Sequence, residues 1–395
     1  MSETPLKKGF VLADRINAIK PSSTLAISAK AKALKAAGHP VLSLAAGEPD
    51  FPTPTNVRDA IQKSLENGFT KYTPTSGVPE LKEAVVNKIK RDQKIYIELG
   101  NVAISCGAKH SLYNIIQVLV NPGDEVIVPA PYWVSYPEMV KLASATPVFI
   151  DTSKTKFILT ADVLRSALTE KSRVVILNSP SNPTGAVIPV PELKKIAELA
   201  REKNLIIISD EIYENFVYDQ LKHVSIAEVM ADWQDYVIIV NGVSKSHSMT
   251  GLRIGYTVAN AALIKKIGIV QDHSTSNPTS ISQKGAIEAL TMDVSFSEEM
   301  RSKFEIKRDL IVDLVNQIDQ LSIVVPQGAF YAFVSVAKTG LKPNDFCDRL
   351  LEEHYVATIP GEGFGSEDCI RLSFAASIED IKEAFKRLKT FIDSI

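Results

Sequence analysis

An amine, a guanidinium, a carboxylate, a phenol and an amide each stand just past the end of an apolar run in this chain. In Asn241-Gly242-Val243-Ser244-Lys245-Ser246-His247-Ser248-Met249-Thr250-Gly251-Leu252-Arg253, Lys245 and Arg253 occupy a Gly- and Ser-rich turn after the apolar stretch Tyr236 to Val240. A lysine amine condenses with a carbonyl to give a Schiff base, and a fixed arginine fork suits a phosphate. The run Leu205 to Ser209 leads into Asp210-Glu211-Ile212-Tyr213. A carboxylate at the end of so apolar a run is expected to be partly buried and to need a cationic partner. The run Val174 to Asn178 enters Ser179-Pro180-Ser181-Asn182-Pro183-Thr184-Gly185, where the prolines and the glycine hold the amide of Asn182. Taken singly, Asn182 reads as a turn residue, Asp210 as a helix cap and Lys245 as a solvated surface group. Taken together, they bring the chemistry of amines, carbonyls and phosphates to one place.

The elements that must position these groups alternate. Val102 to Ser105, Glu125 to Pro129, Pro147 to Asp151, Val174 to Asn178, Leu205 to Ser209, Val237 to Asn241 and Arg253 to Val258 read as strands. Amphipathic helices lie between several of them, such as Val190 to Lys203 with Leu193, Ile196, Ala197 and Leu199 at helical spacing. Apolar runs without alternation, separated by helices, predict an α/β fold with a mostly parallel sheet covered on both faces. Ligands of such sheets bind beyond the carboxyl ends of the strands. The ends of the chain differ. A helical pattern from Leu25 to Ala37 stops at Gly38-His39-Pro40. From Ser297 a long charged helix leads to Ile323-Val324-Val325, Ala329 to Val334 and further helix and strand. This predicts an N-terminal arm and part of a small domain over 1–49, a large domain over 50–295, and a C-terminal small α+β domain over 296–395.

At 395 residues, 45% hydrophobic and 23% charged, the chain can bury a large core. A formal net charge of −2 gives no reason to expect nucleic acid or an anionic membrane as partner. Cys106, Cys347 and Cys369 lack metal-ligand or disulfide spacing and fit a reducing compartment. Met1-Ser2-Glu3-Thr4-Pro5 has no apolar signal core, and no segment is long enough to span a bilayer, so a cytoplasmic enzyme is expected.

The Lys245 to Gly255 pattern resembles the cofactor-lysine signature of class I aminotransferases, which use pyridoxal 5′-phosphate (PLP) on a fold type I scaffold. The resemblance implies roles for the strand-end residues. Lys245 forms the Schiff base and then acts as general base once its pKa is lowered. Asp210 keeps the pyridine nitrogen protonated, Asn182 and Tyr213 donate to the ring hydroxyl, and Ser244 and Arg253 bind the phosphate. Ser105-Cys106-Gly107-Ala108-Lys109 opens the helix Lys109 to Val120, and its backbone is expected to cradle that phosphate. Pro131-Tyr132-Trp133 resembles the family segment whose aromatic residue, here Trp133, stacks on the ring. Lys71-Tyr72-Thr73-Pro74 resembles the segment whose tyrosine reaches the neighbouring subunit's phosphate, which implies a homodimer with shared active sites.

For the substrate, Cys369-Ile370-Arg371-Leu372-Ser373-Phe374 is an alternating strand, in which an isolated arginine ordinarily faces solvent. By resemblance Arg371 instead clamps the α-carboxylate as a bidentate pair, helped by the Gly47 N–H of Ala46-Gly47-Glu48-Pro49-Asp50-Phe51. From about Ile19 to Ser377 the chain looks like the bacterial-type (Ib) aspartate aminotransferase subgroup. There the lysine at Lys109 recognises a distal carboxylate, and a basic residue in Lys20-Pro21-Ser22-Ser23-Thr24 contacts the second carboxylate of prephenate in some relatives. His110 and Leu252 depart from the residues many relatives carry. The implied reaction is transamination of L-aspartate with 2-oxoglutarate. The alternatives are an aromatic or prephenate aminotransferase and a PLP-dependent lyase, while a DNA-binding regulator would need an added N-terminal domain.

Overall fold

The computed structural model describes residues 11–395, and its centre is a sheet of seven strands. In chain order these are β1 (Val102–Ser105), β2 (Glu125–Ala130), β3 (Thr146–Asp151), β4 (Ser172–Asn178), β5 (Ile206–Asp210), β6 (Val237–Gly242) and β7 (Gly255–Val258). They lie in the order β1-β7-β6-β5-β4-β2-β3, and only β7 runs antiparallel to its neighbours. Val174 to Leu177, Ile207 to Asp210 and all of β6 are buried, as unbroken apolar runs require when helices cover both sheet faces. The stretch Met1-Ser2-Glu3-Thr4-Pro5 lies outside the described residues. No helix among the described residues is long and apolar enough to cross a membrane.

The helices that matter for the site are α1 (Ser23–Ala36), α2 (Pro79–Gln93), α3 (Ala108–Leu119), α4 (Ser135–Leu142), α5 (Val190–Lys203) and α6 (Ser295–Asn316). Helix α5 shows how the sequence sets them. Proline stands in its first turn, Leu193, Ile196, Ala197, Leu199 and Ala200 are buried, and Asn204 ends it in the left-handed region at φ 51°. A second, antiparallel sheet orders Ile359–Pro360, Cys369–Ser373, Tyr331–Ser335 and Ser322–Ile323, and Leu42–Ser43 pairs in parallel with Val356–Ala357. This part has its own core, with Phe304 and Ile311 of α6 packed among Phe330, Phe346 and Phe374.

Two expectations shift. Arg253 does not begin β7. It takes φ 55° at the end of a short 3-10 turn, which swings its side chain back toward α3 before the strand starts at Gly255. The alternation in Cys369–Ser373 does not mean a solvent face, because every residue of that strand is buried.

Candidate active site

Register brings the chemistry to one edge. Asn178 at the end of β4 lies beside Asp210 at the end of β5, and Asp210 lies beside Val240 of β6, five residues before Lys245. The Asn178 side chain donates to the Asp210 carbonyl at 3.0 Å and accepts the Asn182 N–H at 2.8 Å, bracing both predicted residues. Asp210 is 4% exposed. Its Oδ2 accepts from the Tyr136 hydroxyl of α4 at 2.7 Å, and its Oδ1 from the Ile212 N–H at 3.3 Å. Burial pushes its pKa up to about 6 against those hydrogen bonds. Tyr213 and Tyr331 share a hydrogen bond of 2.9 Å, and burial holds both phenols above their ordinary range.

Lys245 sits half-buried on the turn after β6, and its Nζ donates to the Gly47 carbonyl at 2.6 Å. Burial is the main cause that brings its pKa down to about 8. Arg371 and Arg253 push the same way, while Glu48 and Asp210 oppose them. Arg253 donates to Thr250 O at 2.8 Å and to Cys106 O at 3.3 Å. Gly107, at φ +86°, brings the start of α3 against this guanidinium, and a Cβ there would lie 2.6 Å from Arg253 Nη2. The first N–H groups of α3, on Ala108 and Lys109, have no acceptor within the helix and point out of its positive end. With buried Ser244, these groups form an anion cradle.

A cleft of about 400 Å³ joins these groups, with Trp133, Asn182 and Arg371 on its walls. Lys109 Nζ lies 4.8 Å above the Trp133 ring, its pKa lowered by burial and then by Arg253. Arg371 is 3% exposed and stacks on Tyr331 at 4.5 Å and Phe364 at 5.1 Å. Among the described residues it donates only to neutral oxygens, Asn182 Oδ1 at 3.0 Å and Ala45 O at 3.1 Å, and its Nε has no partner. A buried guanidinium with no carboxylate on it calls for an anionic ligand. Lys109, Lys245, Arg253 and Arg371 therefore line a cleft whose wall carries the Asp210 carboxylate, with Glu48 near enough to act on Lys245. A ligand carrying more than one negative charge fits that balance.

Some predicted residues stay off the cleft. Lys20 is exposed and its N–H donates to Glu138, while Thr24, Leu25 and Ser28 line the cleft from the adjoining segment. Tyr72 is 92% exposed and is not on the cleft wall. Gly47 lines the cleft, and it is its carbonyl that is engaged. His247 stacks on Phe296 and bonds Ser246, and it is not on the cleft wall. His110 accepts the Cys106 N–H at 3.3 Å. Tyr136, Tyr331 and Asn178 escaped the sequence reading. Tyr136 carried one signal, since it lies one helical turn from Trp133 and meets that ring edge-on.

A seven-stranded sheet with an anion cradle, a depressed lysine and a buried carboxylate at its strand ends defines a fold type I transferase. Comparison with known proteins narrows this. The description "Aminotransferase class I and II" matches residues 39–388, and the chain belongs to that family. It is 48% identical to an aspartate aminotransferase of Bacillus sp. (strain YM-2), over 97% of this chain and 99% of the relative. It is 44% identical to a probable aspartate/prephenate aminotransferase of Rickettsia bellii, over 98% and 100% of the respective chains. The solved aspartate aminotransferase of Thermus thermophilus with maleate superposes with a TM-score of 0.93 at 38% identity, covering 96% of this chain and 99% of that one.

Proposed function

We propose that this aminotransferase is PLP-dependent and converts L-aspartate and 2-oxoglutarate to oxaloacetate and L-glutamate by a ping-pong sequence. The observation that carries the reading is the Lys245 amine set on the wall of one cleft with Asp210, Arg253 and Arg371, its pKa brought down to about 8 by burial. Bound in the cleft, PLP would supply an aldehyde that condenses with amines and a pyridinium that draws electrons from the substrate α-carbon. Lys245 holds the cofactor and then moves the proton at the α-carbon, since an amine near 8 is partly neutral at physiological pH. Asp210 holds the proton on the ring nitrogen, and Asn182 and Tyr213 donate to the ring hydroxyl oxygen. Gly107, Ala108, Lys109, Ser244 and Arg253 hold the phosphate, and Trp133 stacks on the ring. The residues fit this group: the Gly107 cradle would be filled by a Cβ, and the donors suit a phosphate.

Arg371 takes the α-carboxylate with the Gly47 N–H, and Lys109 takes the distal one. The aspartate-named Bacillus relative and the maleate bound to the Thermus relative, a dicarboxylate, support that choice. Tyr72, exposed here, reaches the phosphate of a second subunit in a homodimer, and the free thiols fit a cytoplasmic setting. The Rickettsia relatives favour a second reading, in which prephenate is also an acceptor and Lys20 meets its extra carboxylate.

The test is the visible absorption of purified protein, followed after adding L-aspartate, L-tyrosine or L-alanine. The expected result is a yellow band lost fastest with aspartate, and none of it in Lys245→Ala, which keeps its fold. A band that responds to tyrosine alone removes the dicarboxylate assignment. No band after adding PLP removes the cofactor.

A further inference from the structure

Past the end of β5 the side chains divide between two sides. Asp210 and Tyr213 line the cleft, while Glu211 and Glu214 turn away into the protein. Glu211 is 1% exposed and accepts from Ser209 at 2.8 Å, Ser225 at 2.6 Å, Gln93 at 2.8 Å and His223 Nε2 at 3.2 Å. Glu214 forms an ion pair with Lys88 Nζ at 2.5 Å and accepts from Asn241 at 2.8 Å and from the same Gln93 amide at 3.4 Å. Lys88 is 5% exposed and Gln93 is 2% exposed.

Three oxygen and nitrogen ligand atoms of Glu211, Glu214 and His223 lie within 4.8 Å of one another, the spacing of a metal site. The Lys88 ammonium and the His223 imidazole, whose pKa the Glu211 hydrogen bond raises against burial, already answer those carboxylates, and the Gln93 amide donates to both, so the cluster calls for no metal ion. A buried ion pair of this kind adds little stability over apolar side chains of the same size. Its effect is directional. It ties the turn carrying Asp210 and Tyr213 to Lys88 and Gln93 of α2 and, through Asn241, to the strand that leads into Lys245.

We propose that Glu211 and Glu214, held by Lys88, Gln93, His223 and Asn241, are positioning residues that fix the aim of Asp210 and Tyr213 in the cleft. This rests on the PLP reading of the cleft. Neither glutamate touches cofactor or substrate, and both act through the backbone of the turn.

The test replaces the charged pair by apolar side chains of similar length, Lys88→Met with Glu214→Met. It uses the near-isosteric Glu214→Gln as a second variant that folds even where the first does not. The thermal midpoint of cofactor-free protein is expected to stay within a few degrees in the double variant. The loaded protein is expected to lose about tenfold or more in kcat, with KM for aspartate changed less, and its visible band is expected to titrate at a different pH. Glu214→Gln shifts that titration in the same direction by less. Wild-type kcat and an unmoved titration in a folded variant overturn the inference. So does a loss of activity that follows the loss of stability with the titration unmoved, because that marks a merely structural pair. A wild-type protein that shows no band with PLP takes down the functional reading itself, and a normal wild type with silent variants takes down this inference alone.

Discussion

The Tyr136 hydroxyl donates to Asp210 at 2.7 Å, and the same Tyr136 ring meets Trp133 edge-on. Under the proposed PLP reading, the wall that would stack on the ring and the carboxylate that would hold the proton on its nitrogen are thereby coupled through one side chain. The bond also limits how far burial can raise Asp210, which stands at about 6. A hydrogen bond to a charged group contributes about 1.5–3 kcal/mol. Removing it in Tyr136→Phe should lift Asp210 by one to two further pH units, at about 1.4 kcal/mol per unit.

The expected outcome of Tyr136→Phe is a kcat–pH profile whose acidic limb moves about one unit to higher pH. For a one-unit shift the fall in kcat is about twofold at pH 7, about fivefold at pH 6 and negligible at pH 9. An unmoved acidic limb, measured with saturating aspartate, would detach Tyr136 from Asp210.

Asp210 should also weaken the protein that contains it. Its folded pKa of about 6 lies above the ordinary 3.8, so the fold binds its proton more tightly than the unfolded chain does. Stability therefore falls as pH rises from near 4 to near 6, and the loss, about 3 kcal/mol, persists above that window. Cofactor-free Asp210→Asn should melt several degrees higher than wild type at pH 8 and match it near pH 4. Its turnover should be lost at both. Equal melting curves at pH 8 would show that Asp210 is not held against its charge.

Lys245 makes the matching kinetic prediction. Because burial brings the amine to about 8 from an ordinary 10.5, its neutral, nucleophilic form dominates above pH 8. The rate at which cofactor-free protein takes up PLP, followed by the yellow band, should rise through pH 7 to 9 and level off. A rate still climbing toward pH 10.5 would mean that the amine is solvated.

What the sequence revealed divides along physical lines. Lys245, Asp210 and Asn182 stand at the ends of unbroken apolar runs, and such runs fix both the strand and its exit point. Their meeting follows from parallel pairing alone. Tyr136 and Tyr331 were hidden because each sits where a core aromatic would, and only the partner of the hydroxyl distinguishes them. Arg371 showed the opposite difficulty: alternation along Cys369–Ser373 suggested a wet face, yet both faces are covered. Periodicity records how polar a neighbour is, and it says nothing of what packs on it. Lys20 and Tyr72 lie off the cleft in a single chain, so the roles proposed for them would need a closed segment or a second subunit that one chain's sequence pattern does not position.

Arg371 separates charge from geometry. Its guanidinium is stacked between Tyr331 and Phe364, and its free Nε leaves donors for a bidentate carboxylate. In Arg371→Lys the charge stays and the planar fork is lost, so one of two charged hydrogen bonds disappears. At about 1.5–3 kcal/mol, KM for aspartate should rise roughly tenfold to a hundredfold. In Arg371→Leu the charge goes as well. The rise should be greater still, and Lys245 should titrate above 8 because one of the cations that depress it has gone. Steady-state KM and the pH dependence of PLP uptake read the two effects independently. If the lysine variant binds aspartate as wild type does, the fork is not what holds the carboxylate. If the leucine variant leaves the Lys245 titration in place, the two residues do not sense each other across the cleft.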